Sequence, residues 1–326
     1  MKLSFLQSFG VLLCILMCVS CGLRSVTKQE LSSISTHTTT VNGQTRAYKV
    51  VIPTKIKGDP LLPLVIALHG NGGNAETLIK ETKWDVKATT ENFILVAPEA
   101  SRPIPNKPRN QRNNRQTWND GSGRFHSGVQ NIDDVKFIMQ MLDELESRYP
   151  INKNQIFVTG FSNGASMTFR LAMEVNRIAA IAPVAGINWM NKASVQHPIS
   201  LLYIIGAQDN ANPMGGGVTK MANGRILETT VKPPIYTNIE KWATLIDCLS
   251  KPSTFTLSEG LTGLRFTNCA NNTQIEYIIV DNLGHVWPGA TQLVPKAIVG
   301  SASNKLNATD YIWDFFKKEI LKQSSK

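Results

Sequence analysis

The sequence has few of the residues that bind metals most readily, with five histidines and five cysteines among 326 residues. No group of His, Cys, Asp and Glu residues shows the spacing of metal ligands, so no metal site is expected. The glycine-rich run at 70–73 lacks the Lys and Ser/Thr of a phosphate-binding loop. We therefore expect neither a metal nor an organic cofactor.

The chain also lacks an internal repeat and an interdomain linker. Hydrophobic residues make up 42% of it and charged residues 18%, the composition of an ordinary globular protein. An N-terminal targeting segment would leave about 300 residues, which is enough for one domain with a substantial core.

Acidic residues are outnumbered by basic ones, and the formal net charge is +10. A basic balance attracts nucleic acids, anionic polymers or membrane headgroups. The densest group of cations lies in a loop rich in Pro and Asn and consists of Arg102, Lys107, Arg109, Arg112 and Arg115. Because no aromatic platform or DNA-binding motif accompanies it, no nucleic acid is expected as a partner. The loop is either simply solvated or meets an anionic cell-surface or plant-wall polymer.

The N-terminal apolar run is too short to span a bilayer comfortably. Residues 1–21 have a positive start, a short apolar core and a small residue near the end, which are the marks of a secretory signal peptide. Cys21 stands in a stretch that resembles a bacterial lipoprotein box, which predicts a lipid anchor on Cys21, with simple secretion as the alternative. We expect residues 22–40 to form a flexible tether.

Two cysteines would remain after export, because Cys14 and Cys18 leave with the signal peptide and Cys21 is modified. The remaining pair, Cys248 and Cys269, predicts a disulfide in an oxidising compartment. Two buried free thiols are the alternative.

Short apolar runs alternate with segments of helical periodicity along the chain. Residues 64–68 are continuously apolar, as a central parallel strand is, and residues 132–149 have helical spacing. The alternation predicts an α/β fold with a mostly parallel central sheet and helices on both faces. The long irregular stretches 98–130 and 208–234 leave the carboxyl ends of strands, so we expect them to form the substrate-binding walls.

The most informative motif is G-F-S-N-G at 160–164, between a predicted strand at 155–159 and a predicted helix at 165–175. Strand, G-x-S-x-G and helix in this order are typical of a nucleophile elbow. The glycines let strand and helix approach each other, and the sharp turn raises the hydroxyl of Ser162 above the sheet. This context favours an acyl-transfer nucleophile over a chance occurrence of the pattern.

A serine hydroxyl needs an adjacent base, and the base needs an orienting acid. In folds with this elbow they follow in the order Ser, Asp/Glu, His. His285 is the only histidine after the last predicted strand, and Asp209 follows the predicted strand 201–205. Asp281 is the rival acid, but it lies too close to His285 in sequence to support the ring from a separate loop.

The negative oxygen that develops during acyl transfer needs preorganised donors, and backbone N–H groups can serve. One predicted donor is the N–H of Asn163, directly after the nucleophile. The second comes from the turn 69–73 after the strand 64–68, and we assign it to Asn71.

Several further motifs resemble one family over residues 40 to 320. They are LHGNGGN after the first central strand, TWNDG at 117–121, DDVKFI at 133–138, GFSNGASMT at the elbow, NPMGGG beyond Asp209, WATLIDC ending at Cys248, GHVWPG at 284–289, and IWDFF near the end. Together they are similar to the polyhydroxybutyrate depolymerase and feruloyl esterase family, part of carbohydrate esterase family 1. The resemblance implies an α/β-hydrolase catalytic domain over residues 41–326.

The resemblance assigns Ser162 as nucleophile, Asp209 as acid and His285 as base, and the paired cysteines resemble the family's disulfide. We expect Trp118, Trp287 and His69 to contact the substrate, although either tryptophan could instead be packing. Many members have a Cys-containing segment after the Trp-Asn motif that this chain lacks, so the acyl pocket is not implied.

These features predict an exported serine esterase with a polymer-derived ester substrate of the feruloyl, acetyl-xylan or short polyhydroxyalkanoate type. The expected location is the bacterial cell envelope, through a lipid anchor in the membrane, or the exterior after secretion. One alternative is an acyltransferase with a sugar or lipid acceptor. The other is a catalytically dead surface carbohydrate-binding protein, which the complete Ser, Asp, His order disfavours.

Overall fold

The computed structural model describes residues 34–53, 60–192, 195–221 and 223–324. The predicted signal peptide, its lipidation site Cys21 and most of the predicted tether lie outside these residues.

Twelve strands are present in the described residues: β1 Ile34–Val41, β2 Gln44–Val51, β3 Leu62–Leu68, β4 Ile94–Pro98, β5 Ile151–Phe161, β6 Ala180–Val184, β7 Ser200–Gly206, β8 Gly217–Lys220, β9 Ile226–Lys232, β10 Ser253–Ser258, β11 Leu261–Phe266 and β12 Ile275–Val280. The α-helices are α1 Ala75–Thr82, α2 Trp84–Glu91, α3 Phe125–Val129, α4 Asp134–Arg148, α5 Asn163–Glu174, α6 Ile235–Leu245, α7 Lys296–Val299 and α8 Ala308–Ser324. None of the helices in this part of the chain is both long and apolar enough to cross a membrane.

The predicted flexible tether over residues 22–40 is wrong for residues 34–40, because Ile34–Val41 is a strand. It pairs antiparallel with β2 through a turn at Asn42 and Gly43, both with positive φ. Thr39 is buried and donates a hydrogen bond to Glu144 of α4 at 2.5 Å. The strand forms because pairing with β2 and contact with α4 satisfy polar groups that a free tether would leave to water.

Ten strands form one sheet in the order β1-β2-β4-β3-β5-β6-β7-β12-β11-β10. The six central strands, from β4 to β12, run parallel, and antiparallel hairpins close the two edges. The predicted α/β fold with a mostly parallel sheet is therefore confirmed.

Right-handed crossovers decide which face of the sheet each helix covers. The chain moves from β3 to β4 in one direction and from β5 to β6 in the other, so α1 and α2 lie on one face and α5 on the opposite face. Helix α8 contacts α2, and its Trp313 and Phe316 stack on Phe93 and Phe157 with ring centroids 4.1 and 4.6 Å apart. The helices thus cover both faces, as predicted.

The segment 75–88 lies between two predicted strands and follows Asn74, a suitable cap, which predicts one helix, but the structure has two. Helix α1 ends at Thr82, the next residue Lys83 has a left-handed conformation with φ 58°, and α2 begins at Trp84. The break turns Trp84 fully into the core, where its ring meets the edge of Phe93 at 6.0 Å. Burial of a large aromatic ring outweighs one continuous helical turn.

The parallel strands all end at the same edge of the sheet, so the loops that follow them meet there. The turn 69–73 follows β3, Ser162 follows β5, Asp209 follows β7, and His285 follows β12. Four segments far apart in sequence are brought to one place by the strand order alone.

Candidate active site

Ser162 lies on a strained turn between β5 and α5, with φ 55° and ψ −116°. A non-glycine residue rarely adopts such angles, and surrounding structure must impose them. A Cβ added to Gly160 would lie 2.5 Å from the carbonyl oxygen of Gly164, and one added to Gly164 would lie 2.5 Å from that of His69. Both positions therefore require glycine, because any side chain would push strand, helix and turn apart.

The three predicted catalytic residues, Ser162, His285 and Asp209, form one hydrogen-bonded row. The Nε2 atom of His285 lies 2.9 Å from Oγ of Ser162, and its Nδ1 atom lies 2.8 Å from Oδ2 of Asp209. His285 and Asp209 are almost completely buried. A buried carboxylate beside Nδ1 holds the proton on that nitrogen, so Nε2 faces the hydroxyl as an acceptor.

Asp209 is fixed by its own loop. Its Oδ1 atom accepts hydrogen bonds from the backbone N–H groups of Ala211 at 2.9 Å and Asn212 at 2.7 Å. The other oxygen is then left for the imidazole of His285. The rival Asp281 makes no hydrogen bond to His285 within the described residues, and its backbone N–H is bound to Gly260 on the edge hairpin.

The turn after β3 lies against Ser162. A Cβ added to Gly70 would lie 3.3 Å from Cβ of Ser162. No described group accepts a hydrogen bond from the N–H of Asn71, and the N–H of Asn163 is the first of α5, where no intrahelical acceptor exists. Neither predicted oxyanion donor therefore has an acceptor within the described residues.

Residues 49–206 match the phospholipase/carboxylesterase family. The chain also aligns with an acetyl xylan esterase from Aspergillus awamori over 77% of its own length and 94% of that protein, with a TM-score of 0.52 and 16% identity. The fold of the chain is that of an α/β-hydrolase.

Two relatives extend the similarity at the sequence level. A bifunctional acetylxylan esterase/xylanase of Neocallimastix patriciarum is 25% identical over 52% of this chain, and feruloyl esterase B of Piromyces equi is 24% identical over 73%. The chain spans 22% of the length of the first relative and 42% of the second.

Trp118 does not line a substrate surface in this structure, which corrects the expectation from sequence. Its side chain is completely buried, and Nε1 donates a hydrogen bond to the carbonyl oxygen of His69 at 2.9 Å. Its backbone N–H and C=O both bond to the side-chain amide of Asn163, at 2.7 and 3.1 Å. Trp118 thus connects the turn after β3 to Asn163, the residue directly after Ser162.

His69 is also wrong as a substrate contact, because it is buried and both ring nitrogens have protein partners. Nδ1 lies 2.8 Å from the carbonyl oxygen of Gly70, and Nε2 accepts the N–H of Ala100 at 3.1 Å. Burial lowers the pKa of His69 below its ordinary value, which favours the neutral ring that this pairing requires. Its role is to hold the turn in place.

Trp287, the third expected substrate contact, is buried in the hydrophobic core. Its indole nitrogen donates to Oγ1 of Thr309 on α8 at 3.2 Å. The expectation fails for a physical reason: the same large apolar ring that suits a substrate surface also suits a core, and here α8 covers it.

The two stretches expected to form the walls, 98–130 and 208–234, contain elements that the sequence did not predict. Helix α3 lies in the first, and the hairpin β8–β9 lies in the second. Arg124 joins them through an ion pair with Glu228 of β9 at 2.9 Å. The guanidinium also lies 4.4 Å above the ring of Trp189 and 3.3 Å from a carboxylate oxygen of Asp120.

Burial by itself would raise the pKa of Glu228, but the charges of Arg124 and Lys232 outweigh burial and lower it. Lys232 is buried and reaches Thr219 at 2.5 Å as well as Glu228 at 3.5 Å. Sequence spacing gave no signal for this network, because its members come from two loops without periodic pattern.

Asp120 connects this network to the elbow. The side-chain amide of Asn163 donates to its Oδ2 atom at 2.8 Å. The preceding residue, Asn119, donates its backbone N–H to the buried Asp134 at 2.7 Å, and Asp134 is paired with Arg46 at 2.7 Å. The segment 117–121 is therefore held from both ends, so the N–H donors beside Ser162 have little freedom.

Cys248 and Cys269 are joined by a disulfide that closes a sequence separation of 21 residues, away from the carboxyl edge of the sheet. Within the described residues, no group of three or more His, Cys, Asp and Glu side chains is arranged to hold a metal ion.

Proposed function

We propose that this protein is a serine carboxylic-ester hydrolase with Ser162 as nucleophile, His285 as general base and Asp209 as orienting acid. The observation that carries the proposal is the continuous row from Oγ of Ser162 through the imidazole to the carboxylate, with contacts of 2.9 and 2.8 Å. The match to the phospholipase/carboxylesterase family covers residues 49–206, which include the elbow, and it supports the same assignment.

In the first half-reaction, Oγ of Ser162 attacks the ester carbonyl carbon while its proton passes to Nε2 of His285. The tetrahedral intermediate carries its negative charge on the former carbonyl oxygen. When the intermediate collapses, the C–O bond to the alcohol breaks and the imidazolium returns its proton to the leaving alcohol. An acyl-serine remains.

Water completes the cycle by the same route in reverse. Nε2 takes a proton from water, the hydroxide attacks the acyl carbon, and Oγ leaves with the proton as the acid is released. Asp209 stabilises the imidazolium in both halves and keeps its tautomer. The N–H groups of Asn71 and Asn163 stabilise the oxyanion, a contribution of about 3 kcal/mol for one donor in comparable sites.

The substrate class follows from the relatives, which are named for acetylxylan and feruloyl esters. We propose an acetyl or feruloyl ester on a plant-wall polysaccharide, with a short polyhydroxyalkanoate as the remaining member of the class. Since Trp118 and Trp287 are internal, neither provides a ring for stacking on a sugar or a phenolic acid.

We further propose that the enzyme is exported by its N-terminal segment and anchored through Cys21. The disulfide between Cys248 and Cys269 supports an oxidising compartment, because such bonds do not persist in most cytosols. Metabolic labelling with a radioactive fatty acid tests the anchor, and a Cys21→Ser variant that keeps the label would refute it.

The catalytic assignment is tested with Ser162→Ala against the matched variant Ser258→Ala, whose serine is exposed on β10. Hydrolysis of p-nitrophenyl acetate should fall at least about a thousandfold in the first and stay unchanged in the second. A fluorophosphonate probe should label the wild type and the Ser258 variant only. Equal turnover in all three proteins would refute the mechanism.

The substrate is tested with methyl ferulate, acetylated xylan and polyhydroxybutyrate side by side. A preference of at least about tenfold in kcat/KM for one of the first two supports the polysaccharide ester. If only polyhydroxybutyrate is hydrolysed, the polyester replaces the polysaccharide ester as the proposed substrate.

A further inference from the structure

The loop from Arg102 to Arg115, here called the basic loop, carries five cations and no acidic residue. No carboxylate occurs between Glu99 and Asp120. None of the five cations forms an ion pair with a described residue, unlike most arginines elsewhere in the fold. Lys107, Arg109, Arg112 and Arg115 are exposed. The loop therefore presents uncompensated positive charge to solvent.

The basic loop has a defined shape. The side chain of Asn114 is buried, accepts the N–H of Ile104 at 2.8 Å, and donates to the carbonyls of Ile104, Lys107 and Pro108 at 3.0 to 3.2 Å. The side-chain oxygen of Asn110 caps the turn by accepting hydrogen bonds from the backbone N–H groups of Arg112 and Asn113. The buried amide of Asn114 therefore orders the backbone that carries these cations.

The basic loop lies directly on the turn that carries the oxyanion donor. Arg109 and Gln111 both donate to the carbonyl oxygen of Gly72, at 3.0 and 2.8 Å, and the N–H of Gly72 bonds to Gln116 at 2.8 Å. Gly72 follows Gly70, which touches Ser162, by two residues, or about 7 Å of chain. Arg109, which is bound to Gly72, therefore lies at a distance from Ser162 that one or two sugar rings would span.

Positive charge also lies on the opposite side of the site. Lys220 and Lys296 line a cavity of about 730 Å³ that reaches Asp209, and neither forms an ion pair with a described residue. An extended anion that crosses the carboxyl edge of the sheet would meet cations on both sides of the hydroxyl.

We propose that the basic loop binds the carboxylates of an acidic polysaccharide and so places an ester of the same chain at Ser162. This inference rests on the proposed esterase function and narrows its substrate to a uronate-bearing polymer. The loop has no aromatic side chain on which nucleic-acid bases could stack, and several exposed cations on one ordered loop suit the repeated carboxylates of a polymer. A neutral xylan or a polyester would gain nothing from it.

Binding is measured apart from catalysis by affinity electrophoresis of the Ser162→Ala protein in polygalacturonate and in linear neutral xylan. We expect retardation by polygalacturonate only, and loss of it as sodium chloride rises from 50 to 500 mM. Adding Lys107→Gln and Arg112→Gln should weaken binding about fivefold. Both side chains are exposed, and neither forms a hydrogen bond or an ion pair with a described residue, so the fold should not change.

The charge-matched control adds Lys241→Gln and Lys251→Gln, two exposed lysines that also lack ion pairs in the described residues and lie outside the basic loop. It should keep the wild-type affinity. Equal weakening by both pairs would show that only net charge matters and would overturn the proposal. Binding to phosphatidylglycerol vesicles without binding to polygalacturonate would overturn it as well, in favour of a membrane surface.

Turnover then connects the surface to the site. In the wild type, kcat/KM on acetylated polygalacturonate should exceed kcat/KM on acetylated xylan. In the basic-loop variant this ratio should fall about fivefold, because KM for acetylated polygalacturonate rises. A ratio that the variant leaves unchanged would refute the link. Failure of the wild type to hydrolyse p-nitrophenyl acetate would instead refute the esterase function while leaving the binding result standing.

Discussion

Replacing Trp118 with phenylalanine separates a positioning role from a binding role. The indole is completely buried, and its Nε1 donates at 2.9 Å to the carbonyl oxygen of His69, the residue that begins the turn after β3. Phenylalanine keeps an aromatic ring there but cannot donate. The change therefore removes one connection between the nucleophile elbow and the turn that carries Asn71.

The magnitude follows from burial. Because water cannot reach the carbonyl, leaving it unpaired costs about 1–3 kcal/mol. The smaller ring leaves a cavity of roughly 30 Å³, which adds about 1 kcal/mol. Together these lower Tm by about 5–10 °C in a domain of this size. Complete loss of one oxyanion donor reduces kcat by about 100-fold to 1,000-fold, so a displaced donor should reduce it about tenfold.

The assay is steady-state hydrolysis of p-nitrophenyl acetate together with thermal unfolding. Trp313→Phe is the matched control, since Trp313 is equally buried on α8 but its indole nitrogen has no partner among the described residues. We expect kcat to fall and KM to stay within about twofold for Trp118→Phe, with both unchanged for the control. A raised KM with normal kcat would show that Trp118 contacts substrate and would refute the positioning role.

Three further changes test the site. Asp209→Asn should lower kcat by about 10⁴ with little effect on stability, because an amide favours the wrong imidazole tautomer; Asp281→Asn should leave kcat unchanged, and an equal loss in both would contradict the assignment. Gly164→Ala should lower the free energy of unfolding by at least about 3 kcal/mol, since its Cβ would meet backbone carbonyls, whereas Gly215→Ala, with open space around it, should not; equal unfolding curves in urea would count against the close approach. Glu228 has a lowered pKa in the fold, so its stabilising effect should be present above pH 4.5, its ordinary pKa, and disappear as the pH falls through the lowered value. Glu228→Gln should accordingly unfold at a lower temperature than the wild type at pH 7, and this difference should shrink as the pH is lowered below 4.5; a difference that does not shrink would mean that charge is not the cause.

The central part of the fold could be predicted from sequence because it leaves a local trace. Strands β3, β5 and β12 are buried and read as apolar runs, and α4 carries apolar residues at helical spacing. The hairpins β8–β9 and β10–β11 leave no comparable trace, because most side chains of β9 and β10 are exposed and no buried apolar run marks these two strands. Their pairing depends on backbone hydrogen bonds that composition does not record.

The sequence by itself determined which residues could form the proposed catalytic row. A glycine-flanked serine between strand and helix, an aspartate after a later strand and a histidine after the last one are local features, and the order of parallel strands brings them to one edge. Only the tertiary structure decided which polar and aromatic groups reach solvent. Trp118, Trp287 and His69 are internal and the cations of the basic loop are not, because exposure depends on which distant segment covers a residue, and neighbouring residues along the chain do not specify that.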